Sequence, residues 1–352
     1  MHSVWTSGEI GQSDLFLGSF PSYVLENRIT ASRIEIVTPA PAGSTRGNRV
    51  TAERWAGFLQ QLGHSVTVSD IYRNEPIDLL IALHAGRSAD SIRHYRELHP
   101  INPLLVAVTG TDIYGSEFDV FEVNQSLLLA NQIIVLQPRT ADDLPPDLRP
   151  KIRVIYQSAL PPSERGAVRS DRFEVAVVGH LRRVKDPFRA AEAARLLPSE
   201  SKIHILHLGE AFTQDLAEHA QVEMAINPRY EWLGDLPHEQ AISLMARCRL
   251  VVLTSLSEGG PATIAEAIVS GIPVIATRVS GCIGMLGDDY PGLFAVGDTQ
   301  ALAELLWRAE TDRGFYSTLA AACATRRSLF DPHAELTAWR SLVAELRLGG
   351  EC

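Results

Sequence analysis

The stretch TSLSEGGPATIAEAIVSGIPVIATRVSG, Thr254 to Gly281, holds two glutamates, Glu258 and Glu266, on either side of a Gly-Gly-Pro turn. A carboxylate can accept hydrogen bonds from adjacent hydroxyls, so two of them around one turn suit polyols, such as a sugar ring and a ribose. The apolar run LVVLTS ahead of Glu258 reads as a buried strand, and ligands of α/β sheets gather at the carboxyl ends of strands. Gly259 and Gly260 remove side chains so that backbone can approach a ligand, and Pro261 suits the first helical position. The helix PATIAEAIVS then runs from Pro261 and Ala262 toward a cap at Gly271, with Glu266 just over one turn inside. Its first N–H groups and its dipole suit a phosphate. Taken singly, Glu258 reads as a solvated loop residue and Glu266 as a helix-surface charge; the string around them is what singles them out.

A phosphate needs cations, and the segment VVGHLRRVKDPF supplies His180, Arg182, Arg183 and Lys185 behind another apolar run. Fixed positive charge there would suit an anion. Alone, Lys185 would be no more than a basic turn after a strand. In the first half of the chain, TPAPAGSTRGNRVTAERW places Gly43 and Gly47 in a loop between strand and helix, with Arg46, Asn48, Arg49 and Arg54 beside them. A lone Gly-rich loop is a weak signal, and Arg49 and Arg54 read equally as solvated helix charges. DLLIALHAGRSA adds His84 at a strand end with Arg87 following, and VAVTGTDIYG adds Thr109 and Thr111. A histidine at a strand end is as often structural as functional.

These residues need elements to hold them. Twelve short apolar runs, from RIEIVT at Arg33 to GLFAV near the end, alternate with helical periodicity. That grammar belongs to parallel sheets covered on both faces. In GNRVTAERWAGFLQQLGH, Trp55, Phe58, Leu59 and Leu62 share one helical face. Prolines cluster at 145, 146, 150, 161 and 162, and SALPPSERGAVRSD reads as a linker. The expected organisation is a tail at 1–32, an N-terminal Rossmann-like domain at 33–165, a C-terminal one at 166–332 and an end helix at 333–352. That helix carries an apolar face of Leu336, Trp339, Leu342, Val343 and Leu346, which suits packing back on the N-terminal domain.

The chain of 352 residues is 45% hydrophobic and carries a net charge of −10, which argues against general affinity for nucleic acid or anionic membranes. Cys248, Cys282, Cys323 and Cys352 have neither CxxC spacing nor histidines at metal-ligand spacing, so a metal site is not expected and free thiols are. No apolar run approaches the ~20 residues of a membrane helix, and the opening residues make a poor signal peptide. A cytoplasmic protein is expected.

The string SEGGPATIAEA followed by SGIPVIATRVSG resembles the Glu-x7-Glu region of family-4-type glycosyltransferases with the GT-B fold, two Rossmann-like domains facing each other across a cleft. The resemblance implies that Glu258 faces the donor sugar, that Glu266 holds the nucleotide ribose, and that Gly259, Gly260, Pro261 and Ala262 border the sugar hydroxyls and diphosphate. VVGHLRRVKDPF resembles that family's Gly-Arg-Leu-x-x-x-Lys segment. Lys185 matches, but His180 stands at the Arg position, with Arg182 or Arg183 as substitutes. The Gly43 and Gly47 loop resembles one near the donor phosphate, and His84 falls where the family often has a histidine near the donor sugar. The segment TGTDIY has Thr109 where a histidine is usual.

Longer strings, among them IVTPAPAGSTRGNRVTAERWAGFLQQLGH and KIRVIYQSA, resemble one branch of that family, the selenosugar synthases of selenoneine biosynthesis. Membership would imply transfer of a sugar from UDP-N-acetylglucosamine or UDP-glucose to selenophosphate. The catalytic candidates are then His84, Lys185 and Glu258, and the acceptor candidates are Arg46, Asn48, Arg49, Arg87, Thr109 and Thr111. Three rivals stand beside it: a transferase to a hydroxyl, which shares the donor residues; a sugar-nucleotide epimerase, which shares the architecture; and a sensor that binds a UDP-sugar without turnover. No cofactor is expected, and no Asp-x-Asp metal motif occurs in the cleft strings. Turnover of a UDP-sugar should therefore persist undiminished in excess chelator; loss of activity restored by a divalent cation would refute this.

Overall fold

The computed structural model describes residues 31–346 except 45–46, 116–118 and 165, so Arg46, Cys352 and most of the N-terminal segment lie outside the described residues. Each of the twelve apolar runs contains one strand. The first sheet comprises β1 (Arg33–Val37), β2 (Ser65–Ser69), β3 (Leu79–Leu83), β4 (Leu104–Val108), β5 (Gln132–Val135) and β6 (Ile152–Val154). Its order is β2-β1-β3-β4-β5-β6, all parallel. The second comprises β7 (Phe173–Val178), β8 (Ile203–Leu208), β9 (Tyr230–Trp232), β10 (Leu250–Leu253), β11 (Val274–Thr277) and β12 (Leu293–Phe294). Its order is β12-β11-β10-β7-β8-β9, again all parallel.

Helices connect the strands, because parallel neighbours require a crossover. Around the first sheet run α1 (Gly47–Gln61), α2 (Ala89–Leu98), α3 (Thr111–Tyr114), α4 (Val120–Leu129) and α5 (Thr140–Asp143). Around the second run α6 (Arg189–Arg195), α7 (Gln214–Ile226), α8 (His238–Arg247), α9 (Ala262–Val269) and α10 (Ser280–Leu286). They are followed by α11 (Thr299–Thr311), α12 (Arg313–Arg326) and α13 (Pro332–Glu345). Side chains alternate along each strand, so a sheet covered on both faces has two cores. Leu79, Ile81 and Leu83 enter one with Trp55 and Leu59, while Leu80 and Ala82 enter the other with Ile92 and Tyr95.

Helix α13 follows the second sheet in sequence yet packs on the first. Trp339 meets Trp55 edge to face with ring centroids 5.0 Å apart, and Leu342 and Val343 join the same core. The fully buried carboxylate of Glu335 ties this junction together. It accepts the Trp55 indole N–H at 2.9 Å and the Ser158 backbone N–H at 2.6 Å, with Arg54 3.4 Å away. One side chain of α13 thus holds α1 and the chain passing between the two sheets. The Glu335→Ala variant strands a buried indole, an amide and a guanidinium together and should lose about 3 kcal/mol of unfolding free energy in a denaturant titration. An unchanged midpoint and slope would refute the clamp.

Candidate active site

In the second sheet the strand order reverses between β7 and β10, and a crevice opens beyond the carboxyl ends of those two strands. Val178, Gly179 and Lys185 line it from the β7 side, and Thr254, Ser255 and Glu258 from the β10 side. The two loops are sewn together. Thr254 Oγ1 lies 2.9 Å from both the Lys185 and Asp186 carbonyls, and Leu256 N donates to Val184 O at 2.8 Å. Asp186 adopts a left-handed conformation, φ 44°, and its carboxylate accepts from Arg189 Nε at 2.8 Å.

At the mouth of the crevice Lys185 Nζ donates to Glu258 Oε1 at 2.5 Å, and Ser255 Oγ donates to the same oxygen at 2.5 Å. The pair is three-quarters buried or more, so its charges interact strongly and each neutralises the other. Helix α9 begins beside them, where Thr263 Oγ1 reaches Val178 O. Pro261 is its cap at φ −67° and ψ 115° and precedes the first helical residue, Ala262. That corrects the expectation that Pro261 itself opens the helix; its extended ψ keeps it outside. Gly271 follows the helix in the left-handed region, φ 73°, which the turn away from α9 requires.

Glu266 projects from α9 with only 15% of its side chain exposed. Burial pushes its carboxyl above the usual range, while His238 and Arg54 pull it back. His238 Nε2 is 3.8 Å from Glu266 Oε1. Arg54 therefore reads from structure as a bridge from α1 toward Glu266 and Glu335, in place of a solvated helix charge. His238 carries no signal in the sequence, since it opens α8 after a proline with no motif around it.

His180 sits at the end of the β7 loop, where Nδ1 accepts the Glu210 backbone N–H at 3.1 Å. Its ring is tilted against Phe212, over which the Arg182 guanidinium also lies at 5.3 Å. Burial holds the His180 imidazole below its ordinary value, Asp235 and Glu210 pulling it back up and Arg182 and Lys185 pushing it further down. The residue at the Arg position is thus biased toward neutrality, leaving Lys185 as the cation lining the crevice. Beneath the loop His207 is fully buried, its Nε2 donating to Gly179 O at 3.1 Å and its Nδ1 accepting from the Tyr230 hydroxyl at 3.0 Å.

Gly259 and Gly260 face the other domain. A Cβ on Gly259 would stand 2.7 Å from Gly110 Cα, and one on Gly260 would stand 2.5 Å from Leu136 Cβ. The close approach of one domain to the other demands glycine at both positions. Gln137 Nε2 completes the contact by donating to Gly259 O at 3.1 Å.

Across the cleft, the first sheet reverses order between β1 and β3, which brings the Gly43 loop and His84 side by side. His84 is fully buried in a left-handed conformation, φ 70°. Its Nδ1 accepts from Arg87 N at 3.2 Å and its Nε2 meets Thr111 Oγ1 at 3.1 Å. Thr111 is exposed, and the buried His84 ring is bonded to it. Asp112, absent from the sequence reading, accepts the backbone N–H groups of Ala85, Thr109 and Gly110 and so shapes the turn that touches Gly259. Arg49 is buried against Glu53, with Nε to Oε1 2.6 Å, so its charge is already matched. Arg87 is exposed, Asn48 half-buried, and Gly43 and Gly47 stand in open surroundings. Arg46 lies outside the described residues.

Burial holds the His207 imidazole down to about 4, against 6.5 for an ordinary histidine. A depressed value means that stability is whole above the unfolded value near 6.5 and is lost as pH falls toward 4, by about 3 kcal/mol. Unfolding free energy measured from pH 7 to pH 4 should fall less steeply for His207→Gln than for the parent; equal slopes would remove His207 from this role.

Residues 163–325 match the family model of glycosyl transferases group 1. The D-inositol 3-phosphate glycosyltransferase of Corynebacterium urealyticum is 28% identical over 147 residues, 39% of this chain and 35% of that protein. The chain spans about a third of the length of the curated relatives it matches. Among solved structures, HepE of Anabaena in complex with UDP and glucose is 18% identical, with a TM-score of 0.70 over 89% of this chain and 100% of that one. Sucrose-phosphate synthase of Thermosynechococcus elongatus gives a TM-score of 0.72 at 17% identity, over 90% and 99% of the two chains. Among the described residues no helix is long and apolar enough to cross a membrane. The chain therefore has the GT-B fold, and its residues 163–325 are similar to the glycosyl transferases of group 1.

Proposed function

We propose that this protein transfers a sugar from a UDP-sugar, binding the donor on its C-terminal domain and the acceptor on its N-terminal one. The observation that carries this reading is the resting pair of Lys185 and Glu258 beside the start of α9, at the strand-order reversal. A diphosphate entering there meets the helix dipole and competes with Glu258 for the Lys185 ammonium. Once Lys185 turns to phosphate, Glu258 is released to accept hydroxyls of the donor sugar. As the glycosidic bond breaks, negative charge grows on the diphosphate and the ammonium is already in place to stabilise it. Glu266, one turn inside α9, takes the ribose hydroxyls, and Arg54 brings the N-terminal domain's charge to the same place. HepE, with which this chain shares its fold, has been solved with UDP-glucose, which supports a UDP-sugar donor.

For the acceptor, a hydroxyl compound is the better-supported class. Arg49, one of the cations expected to hold selenophosphate, is matched by Glu53, and the relatives' printed names describe glycosyl transfer without selenium. Selenophosphate, with a 1-selenosugar as product, rests on the sequence resemblance alone. Selenophosphate is anionic near neutral pH and needs positioning more than a general base, a demand that Arg87 and the exposed Thr111 could meet in part.

Mass spectrometry of the protein with UDP-N-acetylglucosamine or UDP-glucose, with and without selenophosphate, separates these. UDP released with a glycosylated hydroxyl acceptor supports the broad reading; a selenium-bearing hexose or hexosamine found only in the complete mixture establishes the narrow one. Failure of either UDP-sugar to bind would overturn both. Glu266→Ala should weaken UDP binding, while Glu258→Ala and Lys185→Ala should each lower kcat by about a hundredfold. Small, equal effects on binding and turnover would contradict the assigned roles.

A further inference from the structure

A second cavity lies at the far end of the donor sheet. It opens at the amino ends of β7, β8 and β10 beside the junction of α11 and α12, about 20 Å from the crevice along the six residues of β7. Arg172, Lys202, Arg249 and Arg313 line it over Phe173 and Tyr316. Glu310 is the one carboxylate in the lining, and its oxygens are engaged by Ser201 Oγ and Lys202 N, both at 2.6 Å. Neighbouring carboxylates are also occupied: Asp171 pairs with Arg169 at 2.7 Å, and Asp312 caps α12 while lying 3.4 Å from Arg308. None of the four lining cations has an ion-pair partner among the described residues.

The bland reading of such a cluster is solvated surface charge, and Arg172, Lys202 and Arg313 are individually exposed. Arg249 is different. It is half-buried, its guanidinium lies over the Phe173 ring at 5.9 Å, and its carbonyl accepts the Tyr316 hydroxyl at 2.8 Å. Phe173 and Tyr316 meet edge to face at 6.2 Å. A fixed cation on an aromatic floor, ringed by three more, concentrates positive potential in a concavity of a protein whose net charge is −10. Like charges so gathered repel one another unless an anion joins them.

We propose that this cavity binds a small, multiply charged phosphate anion of the diphosphate or triphosphate class. Three exposed donors can close around the terminal oxygens while Arg249 supplies a planar, preoriented contact. The site is separate from the crevice and does not depend on the donor assignment. Isothermal titration of the full chain with inorganic pyrophosphate tests it. With UDP present in excess to fill the crevice, the expected result is one saturable site with Kd below about 1 mM, unmoved by Lys185→Ala. Arg249→Ala and the paired surface variant Lys202→Ala with Arg313→Ala should each weaken it by about tenfold or more, and binding should fall with rising salt. Absence of saturable binding, binding indifferent to both variants, or binding lost with Lys185→Ala would overturn the proposal. So would co-sedimentation with phosphatidylglycerol vesicles that both variants abolish while pyrophosphate fails to bind, since the cations would then serve a lipid headgroup.

Discussion

A parallel sheet sends every crossover from the carboxyl end of one strand to the amino end of the next, and where the strand order reverses, successive crossovers leave toward opposite faces. At the reversal between β7 and β10 the loops after those strands border a crevice. The first sheet reverses between β1 and β3, and the Gly43 loop and His84 fall there for the same reason. Lys185, Glu258 and His84 all sit at one of these two reversals.

Facing the reversals toward each other takes specific contacts. Gly110 and Gly259 bring backbone against backbone, and Gln137 bonds across the same seam. Helix α13, returning from the second sheet to the first, adds a clamp in which one buried carboxylate serves an indole, an amide and a guanidinium. Such a carboxylate is costly to desolvate and stable only while all of its partners are in place, which makes it a register device as much as a source of stability. Arg54 lies 3.4 Å from Glu335, and its charge also acts on Glu266, so the junction and α9 are electrostatically linked.

Within the crevice the resting state is electrically quiet. Lys185 and Glu258 satisfy each other, His180 and His207 are held toward neutrality by burial, and Glu266 is pushed toward its neutral form. In the function proposed above, an arriving anion would change this by exchange, taking the ammonium and releasing the carboxylate. The loops are stapled to each other, and Asp186 is held left-handed, by contacts that do not involve those two side chains.

The twelve strands, the helical face of Trp55, Phe58 and Leu59, and the string from Ser257 to Ala267 were legible in the sequence because each is local. Periodicity reports which side of an element is apolar, and Gly-Gly-Pro between two glutamates reports a turn that opens a helix. Contact between segments far apart in the chain has no such local record. That Gly259 is small for Gly110, that His84 is bonded to Thr111, that Arg49 is matched by Glu53, that His238 stands beside Glu266, and that four cations converge at the amino ends of three strands followed only once strand order brought these positions together. The sequence by itself determined which elements form and which residue types could meet a sugar nucleotide. Tertiary structure decided which charges remain available, because availability depends on the neighbour that packing supplies.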